Sequence, residues 1–345
     1  MAGDDRRRRR ASGEVQPELT LIIPAYNEGD RIASGLIRLR AAAATGAIDL
    51  DTTEVLYVDD GSTDATTAAA TEAATSLPNG RVVTLPKNLG KGGAVRAGVA
   101  SAKGTNMAFC DADFSIDAKH LGQFVAALSD ADVAIGSRAT THGAVEYGHK
   151  FRTLGGRLFN RLVNSITHLD LADTQCGMKA FRGDVARILF ATTAIERFAF
   201  DVELLTRCRQ FGFVVREVPV TWNEIAGSSV RPFADPYSML KDLAKSQLGG
   251  QIRPLSGYRV VGATSADQLR ARIANVTASP QPVVIESARA LLVVFPFASG
   301  PERSALGAHV LAALSPLKVS ADAFTVKDLS RLSPLMVSQV PTTTT

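Results

Sequence analysis

Cysteine is scarce in this chain: Cys110, Cys176 and Cys208 are odd in number and widely spaced. That count fits neither paired zinc-ligand spacings nor a disulfide framework. It leaves packed, reduced thiols of the kind usual in the cytosol. Long apolar runs are also missing, although 46% of the residues are hydrophobic. No stretch approaches the roughly 20 residues of a membrane-spanning helix. The best, PVVIESARALLVVFPFA, is interrupted by Glu286 and Arg289, so any membrane association is expected to be peripheral. A strong charge bias is absent too. The net charge is +4, and much of the excess lies in one run, Arg6–Arg10, within the opening MAGDDRRRRRASGEVQPE. No apolar segment follows those arginines, so the opening does not read as a secretory signal. Residues 1–18 are expected to form a disordered basic tail. The run suits an anionic membrane face. It lacks the interleaved aromatics or recognisable module of a nucleic-acid binder, so no nucleic-acid partner is expected.

What the chain does have is a repeated alternation. LTLIIPAY is followed by GDRIASGLIRLRAAAAT, which spaces Ile32, Leu36, Ile37 and Leu39 as a helix does. TEVLYVDD then DATTAAATEAATS, RVVTLP then GKGGAVRAGVASA, and NMAFCDAD then AKHLGQFVAALS repeat the unit, and ADVAIGSR closes it. Near-continuous apolar strands alternating with helices predict a parallel sheet covered on both faces. Further on, DTQCGMKAFRG reads as extended, RFAFDVELLTRCRQFG as a helix and FVVREVPVTWNE as a strand. Composition shifts after Gly250. From about Tyr258 the pattern is strand, helix, one long strand (PVVIESARALLVVF), helix and weak strand, an α+β appendage without a chemical motif.

Open α/β sheets bind ligands beyond the carboxyl ends of their strands, and those ends are loaded here. They carry Tyr26, Asn27 and Glu28; Asp59 and Asp60; Lys87 and Asn88; Asp111 and Asp113; Ser137 and Arg138. One acidic residue at a strand end is often a turn former or helix cap. Five loaded ends on one edge are harder to explain that way. Asp111 and Asp113 are two apart, so alternation along an extended strand would turn both carboxylates to one side. Hard oxygen ligands suit Mg²⁺ or Mn²⁺, often with only one or two carboxylates plus substrate phosphates. NLGKGGAVRAG fails the P-loop spacing, because Gly92 rather than Ser or Thr follows Lys91. Lys91 at a glycine-rich helix start can still neutralise a phosphate.

In order, LIIPAYNE, VDDGSTD, KNLGKGGAVRAG, DADFS, IGSR, DTQCGMKAF, ERFAFDVELL and WNEIAGSSVRPF resemble the family 2 glycosyltransferases that charge polyprenyl phosphates. The likeness is to the dolichyl-phosphate β-glucosyltransferase branch, with the dolichyl-phosphate mannose synthases as near relatives. It spans about Leu19 to Gly250 and does not cover the tail. It implies a GT-A (Rossmann-like) α/β fold over 19–250 with a mostly parallel central sheet, plus a small C-terminal α+β appendage over 258–338. It also implies a nucleotide-sugar donor, Mg²⁺ or Mn²⁺, and a polyprenyl-phosphate acceptor. Pro24, Tyr26, Asn27 and Glu28 match the nucleotide-holding segment, with Asp59 or Asp60 on the base or ribose. Lys91 matches the lysine near the donor. Asp111 and Asp113 match the metal motif, with Ala112 against the nucleotide. Arg138 and Arg152 match the pair gripping the acceptor phosphate.

Those roles are chemically coherent. Two phosphate groups brought together need cations, and arginine can hold phosphate in a bidentate manner. An ionised phosphate needs little help from a base, so none is nominated, although Asp173 and Asp201 are the candidates. In-line attack would give a β-linked product from an α-linked donor. The expected activity is glucose transfer from UDP-glucose at the cytoplasmic membrane face. Membrane contact is expected through Arg6–Arg10 and a helix around Met239–Leu248. Mannose transfer from GDP-mannose is the second reading. A non-catalytic sugar-nucleotide sensor is the third, but it predicts a lost carboxylate or arginine, and neither is lost.

Overall fold

The computed structural model describes residues 16–138, 164, 169–193, 195–197, 199–211, 213–222, 255–261, 266–273, 283–287, 290–295, 308–317 and 320–326. Arg6–Arg10, Arg152 and the segment Met239–Leu248 lie outside them.

The chain divides into two compact units. The first is built on a seven-stranded sheet: β1 (Leu19–Ala25), β2 (Thr53–Asp59), β3 (Gly80–Thr84), β4 (Asn106–Phe109), β5 (Val133–Ser137), β6 (Lys179–Arg182) and β7 (Val215–Pro219). Their order across the sheet is β3-β2-β1-β4-β6-β5-β7. β1 runs parallel to β2 and β4, β2 to β3, and β5 to β7. β6 runs antiparallel between β4 and β5, so the sheet is mostly parallel, as the resemblance implied, with one antiparallel strand. Every residue of β1, β2 and β5 is buried. This accounts for their continuous apolar runs, since neither face meets water.

The helices α1 (Gly29–Ala44), α2 (Thr66–Thr75), α3 (Lys91–Ser101) and α4 (Leu121–Ala127) follow β1 to β4. α1 buries Ile32, Gly35, Leu39 and Ala42. Ile37, which shares their helical spacing in the sequence, is 68% exposed. α3 is lined with Gly92, Gly93, Ala94 and Gly98. A methyl at Gly98 would lie 2.5 Å from Ile22 Cγ2, so the absent side chain lets α3 sit close to β1. Leu21, Ile23, Tyr57, Phe114 and Phe124 fill the core, each large apolar side chain contributing roughly 1.5–3 kcal/mol on burial.

The second unit contains α5 (Gly183–Thr192), which the sequence reading did not assign, and α6 (Phe200–Phe211). Its remainder has strands β8 (Leu255–Val261), β9 (Val283–Ser287), β10 (Ala290–Phe295) and β11 (Ser320–Val326), with α7 (Ala266–Ile273) and a helix over 308–314 between them. The expected single strand PVVIESARALLVVF is a hairpin, with β9 and β10 antiparallel. The sheet order β11-β8-β10-β9 is antiparallel throughout. Strand–helix–strand–strand–helix–strand in that order is the ferredoxin-like connectivity. Among the described residues no helix is long and apolar enough to cross a membrane, and all three cysteines are free and buried.

Candidate active site

At the carboxyl ends of β1 and β2 two loops are stitched together. Asn27, at φ 52°, accepts from Thr63 N at 3.0 Å and donates its own N–H to Ser62 Oγ at 3.0 Å. Glu28 N donates to Thr66 Oγ1 at 2.8 Å. Tyr26 is 43% exposed, whereas Pro24 is buried within β1.

Asp59 and Asp60 are both buried, and both are used internally. Asp59 accepts from Ser62 N at 3.0 Å and from the Thr67 hydroxyl. Asp60 accepts from Leu89 N at 2.8 Å and Gly90 N at 2.7 Å. The carboxylate of Asp60 thus fixes the backbone that enters α3, immediately before Lys91. Gly61, at φ 70°, completes this junction, since a Cβ there would strike the Lys87 backbone at 2.6 Å.

Lys91 Nζ reaches Asp111 Oδ1 at 2.5 Å. Asp111 and Asp113 do not extend β4, which ends at Phe109. They lie on a turn: Phe114 N donates to Asp111 O at 3.0 Å, Asp113 Oδ1 accepts from Ser115 N at 2.9 Å, and Phe114 has φ 48°. Strand alternation is therefore not what groups them. The turn is held by the burial of Phe114 and by Gly35, where a Cβ would lie 2.1 Å from Ala112 O. Ala112 is 3% exposed, its side chain packed in the core. A nucleotide lying against Ala112, as the resemblance implies, would meet its backbone rather than its buried methyl group.

Both carboxylates act on Glu28. Burial raises the Glu28 pKa, Arg31 opposes the rise, and the charges of Asp113 and Asp111 add to it. Glu28, Asp111 and Asp113 therefore form one region of negative potential, with Lys91 as the resident counter-ion. Among the described residues no three His, Cys, Asp or Glu side chains converge as metal ligands. Two hard-oxygen carboxylates, with Asp111 40% exposed, nonetheless suit a Mg²⁺- or Mn²⁺-type ion that takes its other ligands from phosphates and water. Burial disfavours the thiolate form of the neighbouring cysteines, pushing the pKa of Cys110 well up and that of Cys176 up to about 11.

At the end of β5, Arg138 forms a bidentate pair with Asp173, Nε to Oδ2 at 2.6 Å and Nη2 to Oδ1 at 3.0 Å. Burial alone would raise the Asp173 pKa, but the hydrogen bonds and charge of Arg138 outweigh it and hold the carboxyl below its ordinary value. Burial works to lower the Arg138 pKa, and Asp173 more than offsets it upward. Asp173 is thus a partner of Arg138 rather than a poised base. Asp201 lies in the first turn of α6.

Three contributors went unnoticed in the sequence. Gly177 leaves room for Asp111, because a Cβ there would fall 2.2 Å from Oδ2. Lys179 on β6 is fully buried, donates to Cys176 O at 2.8 Å and lies 5.7 Å from the Phe109 ring. Glu217 on β7 accepts from Ala172 N at 3.2 Å and Asp173 N at 3.1 Å. The cysteine–glycine pair two residues before β6 was the only signal for Gly177; Lys179 and Glu217 had none.

The Glycosyl transferase family 2 model matches residues 20–190. Dolichyl-phosphate beta-glucosyltransferase of Drosophila melanogaster is 39% identical over 241 residues, covering 66% of this chain and 73% of the fly protein. The Homo sapiens protein of the same name is 34% identical over 242 residues, covering 66% and 74%. Among solved structures, glucosyl-3-phosphoglycerate synthase from Mycobacterium tuberculosis, in complex with Mn²⁺, UDP and glucosyl-3-phosphoglycerate, superposes with a TM-score of 0.50 at 18% identity. The match covers 68% of this chain and 79% of that one. With the observed sheet, this likeness establishes the GT-A fold.

Proposed function

The chain belongs to glycosyl transferase family 2, and from that premise we propose that it moves glucose from UDP-glucose to a polyprenyl phosphate of the dolichyl type, with inversion. One observation carries the proposal: a carboxylate edge (Glu28, Asp111, Asp113) balanced by Lys91, and an oriented guanidinium at Arg138, occupy strand ends of the same sheet. The relatives named dolichyl-phosphate beta-glucosyltransferase support the choice of donor sugar and acceptor.

The residues divide by charge. Asp111 and Asp113 would hold Mg²⁺ or Mn²⁺, which when bound neutralises the leaving diphosphate. Lys91 adds a second positive charge beside the donor, and the exposed Tyr26 with Asn27 and Glu28 lines the nucleotide side. Asp60 contributes by fixing the start of α3, and Asp59 by closing the loop after β2. Arg138 uses Nε and one side of Nη2 on Asp173. Its Nη1 edge remains for the acceptor phosphate, with Arg152 as the second arginine by family resemblance. The acceptor oxygen attacks as an ionised phosphate, so Asp173 can stay an ion-pair partner throughout. A lipid acceptor calls for a reaction at a membrane surface; the reading adopted is its cytoplasmic face, with the basic run Arg6–Arg10 suited to anionic lipid there.

The test is radiolabelled transfer with purified protein, polyprenyl phosphate and a panel of UDP- and GDP-sugars, with Mg²⁺, Mn²⁺ or EDTA. UDP-glucose should give lipid-extractable label that EDTA abolishes. Label from GDP-mannose instead would reassign the donor, and no product from any donor would sink the proposal.

A further inference from the structure

We propose that Glu217 is a positioning residue for the acceptor, acting through Asp173 on Arg138. The inference rests on Arg138 being the acceptor-phosphate group. Glu217 sits on β7, the edge strand beside β5, and its two carboxylate oxygens take the successive backbone N–H groups of Ala172 and Asp173, at 3.2 and 3.1 Å. This fixes the peptide from which the Asp173 side chain projects. Asp173 in turn accepts from Arg138 Nε, Arg138 Nη2, the Arg138 backbone N at 3.1 Å and Gln175 N at 3.2 Å. Its carboxylate is 91% buried, the exposed fraction being 9%, so it has little freedom to follow a guanidinium that drifts. Arg138 itself is 41% exposed. Its outer edge faces solvent while its inner edge is locked.

The arrangement is a series: one carboxylate orients a backbone segment, that segment orients a second carboxylate, and the second orients a cation. A side chain with many rotamers is thereby held ready for a tetrahedral anion before that anion arrives, the condition under which bidentate recognition is most effective. Glu217 touches no substrate in this scheme.

Glu217→Gln tests it. The amide keeps the shape but offers one acceptor oxygen for two N–H donors. It should raise the KM for polyprenyl phosphate up to about tenfold, the cost of immobilising one rotamer-rich side chain on binding. The KM for the nucleotide sugar and the thermal midpoint should stay near wild type. Arg138→Ala should raise the acceptor KM about thirtyfold or more, and adding Glu217→Gln to it should raise it no further. If Glu217→Gln shifts both KM values equally, or adds its full effect in the Arg138→Ala background, the relay is wrong. If Arg138→Ala leaves the acceptor KM unchanged, the assignment of Arg138 fails instead, and the relay with it.

Discussion

Substituting Gly177 by alanine should separate catalysis from stability. A methyl carbon there would lie 2.2 Å from Asp111 Oδ2 and 3.1 Å from its Cγ. A relaxed carbon–oxygen contact is about 3.3 Å, so the carboxylate must retreat by roughly 1 Å. It cannot do so freely, because its other oxygen is 2.5 Å from Lys91 Nζ. The fold tolerates the move well. Asp111 is 40% exposed, the displaced atom ends a side chain, and Gly177 is not among the positive-φ residues. An unstrained Gly→Ala change even gains about 0.4–1 kcal/mol by restricting the unfolded chain, so the thermal midpoint should hold. Displacing a catalytic group by about 1 Å costs on the order of a hundredfold in rate, equivalent to about 2.7 kcal/mol of barrier. Steady-state transfer assays beside thermal unfolding measure both quantities. Wild-type kcat in a well-folded Gly177→Ala protein would refute the placement of Asp111 at the reacting centre.

Two other perturbations probe the supports of the site. Asp60→Asn leaves one of the Leu89 and Gly90 N–H groups facing an amide NH₂ in a buried place, which should cost about 1–3 kcal/mol in urea unfolding and raise the donor KM as Lys91 loses its fixed origin. Asp173 has a folded pKa below its ordinary value of 3.8. Its stabilising contribution is therefore complete above that value and is lost as pH falls through the depressed one. Wild type should lose stability steeply below about pH 4, and Asp173→Asn, less stable at neutral pH, should show a flatter acid limb. Parallel limbs would contradict the ion pair.

Much of the first sheet was legible because its central strands are buried on both faces and carry unbroken apolar runs. The direction of β6 was not, since nothing in KAFR records whether the long excursion before it returns head-up or head-down. The β9–β10 hairpin read as one strand because Ala288 and Arg289 join its halves without the Asn, Gly or Pro that marks a tight turn. At the site, residue types carried the information and local periodicity misled. Asp111 and Asp113 were recognisable as carboxylates at a strand end, yet a turn anchored by Phe114 and Gly35 groups them, not the alternation of a strand. Glu217 gave no signal because its partners are 44 and 45 residues away in sequence, and a glutamate in an edge strand looks like any solvated one.

The interleaving of β6 between β4 and β5 also orders events during synthesis. By Phe109 the ribosome has released all four strands of the β3-β2-β1-β4 half, and with them the carboxylates' framework and Lys91. β5 then emerges with neither neighbour available, since β6 begins at Lys179 and β7 at Val215. Throughout that interval Arg138 lacks Asp173 and Glu217. Under the proposed assignment, the residues read as the donor side therefore emerge first, and those read as the acceptor side are complete only once Glu217 has emerged.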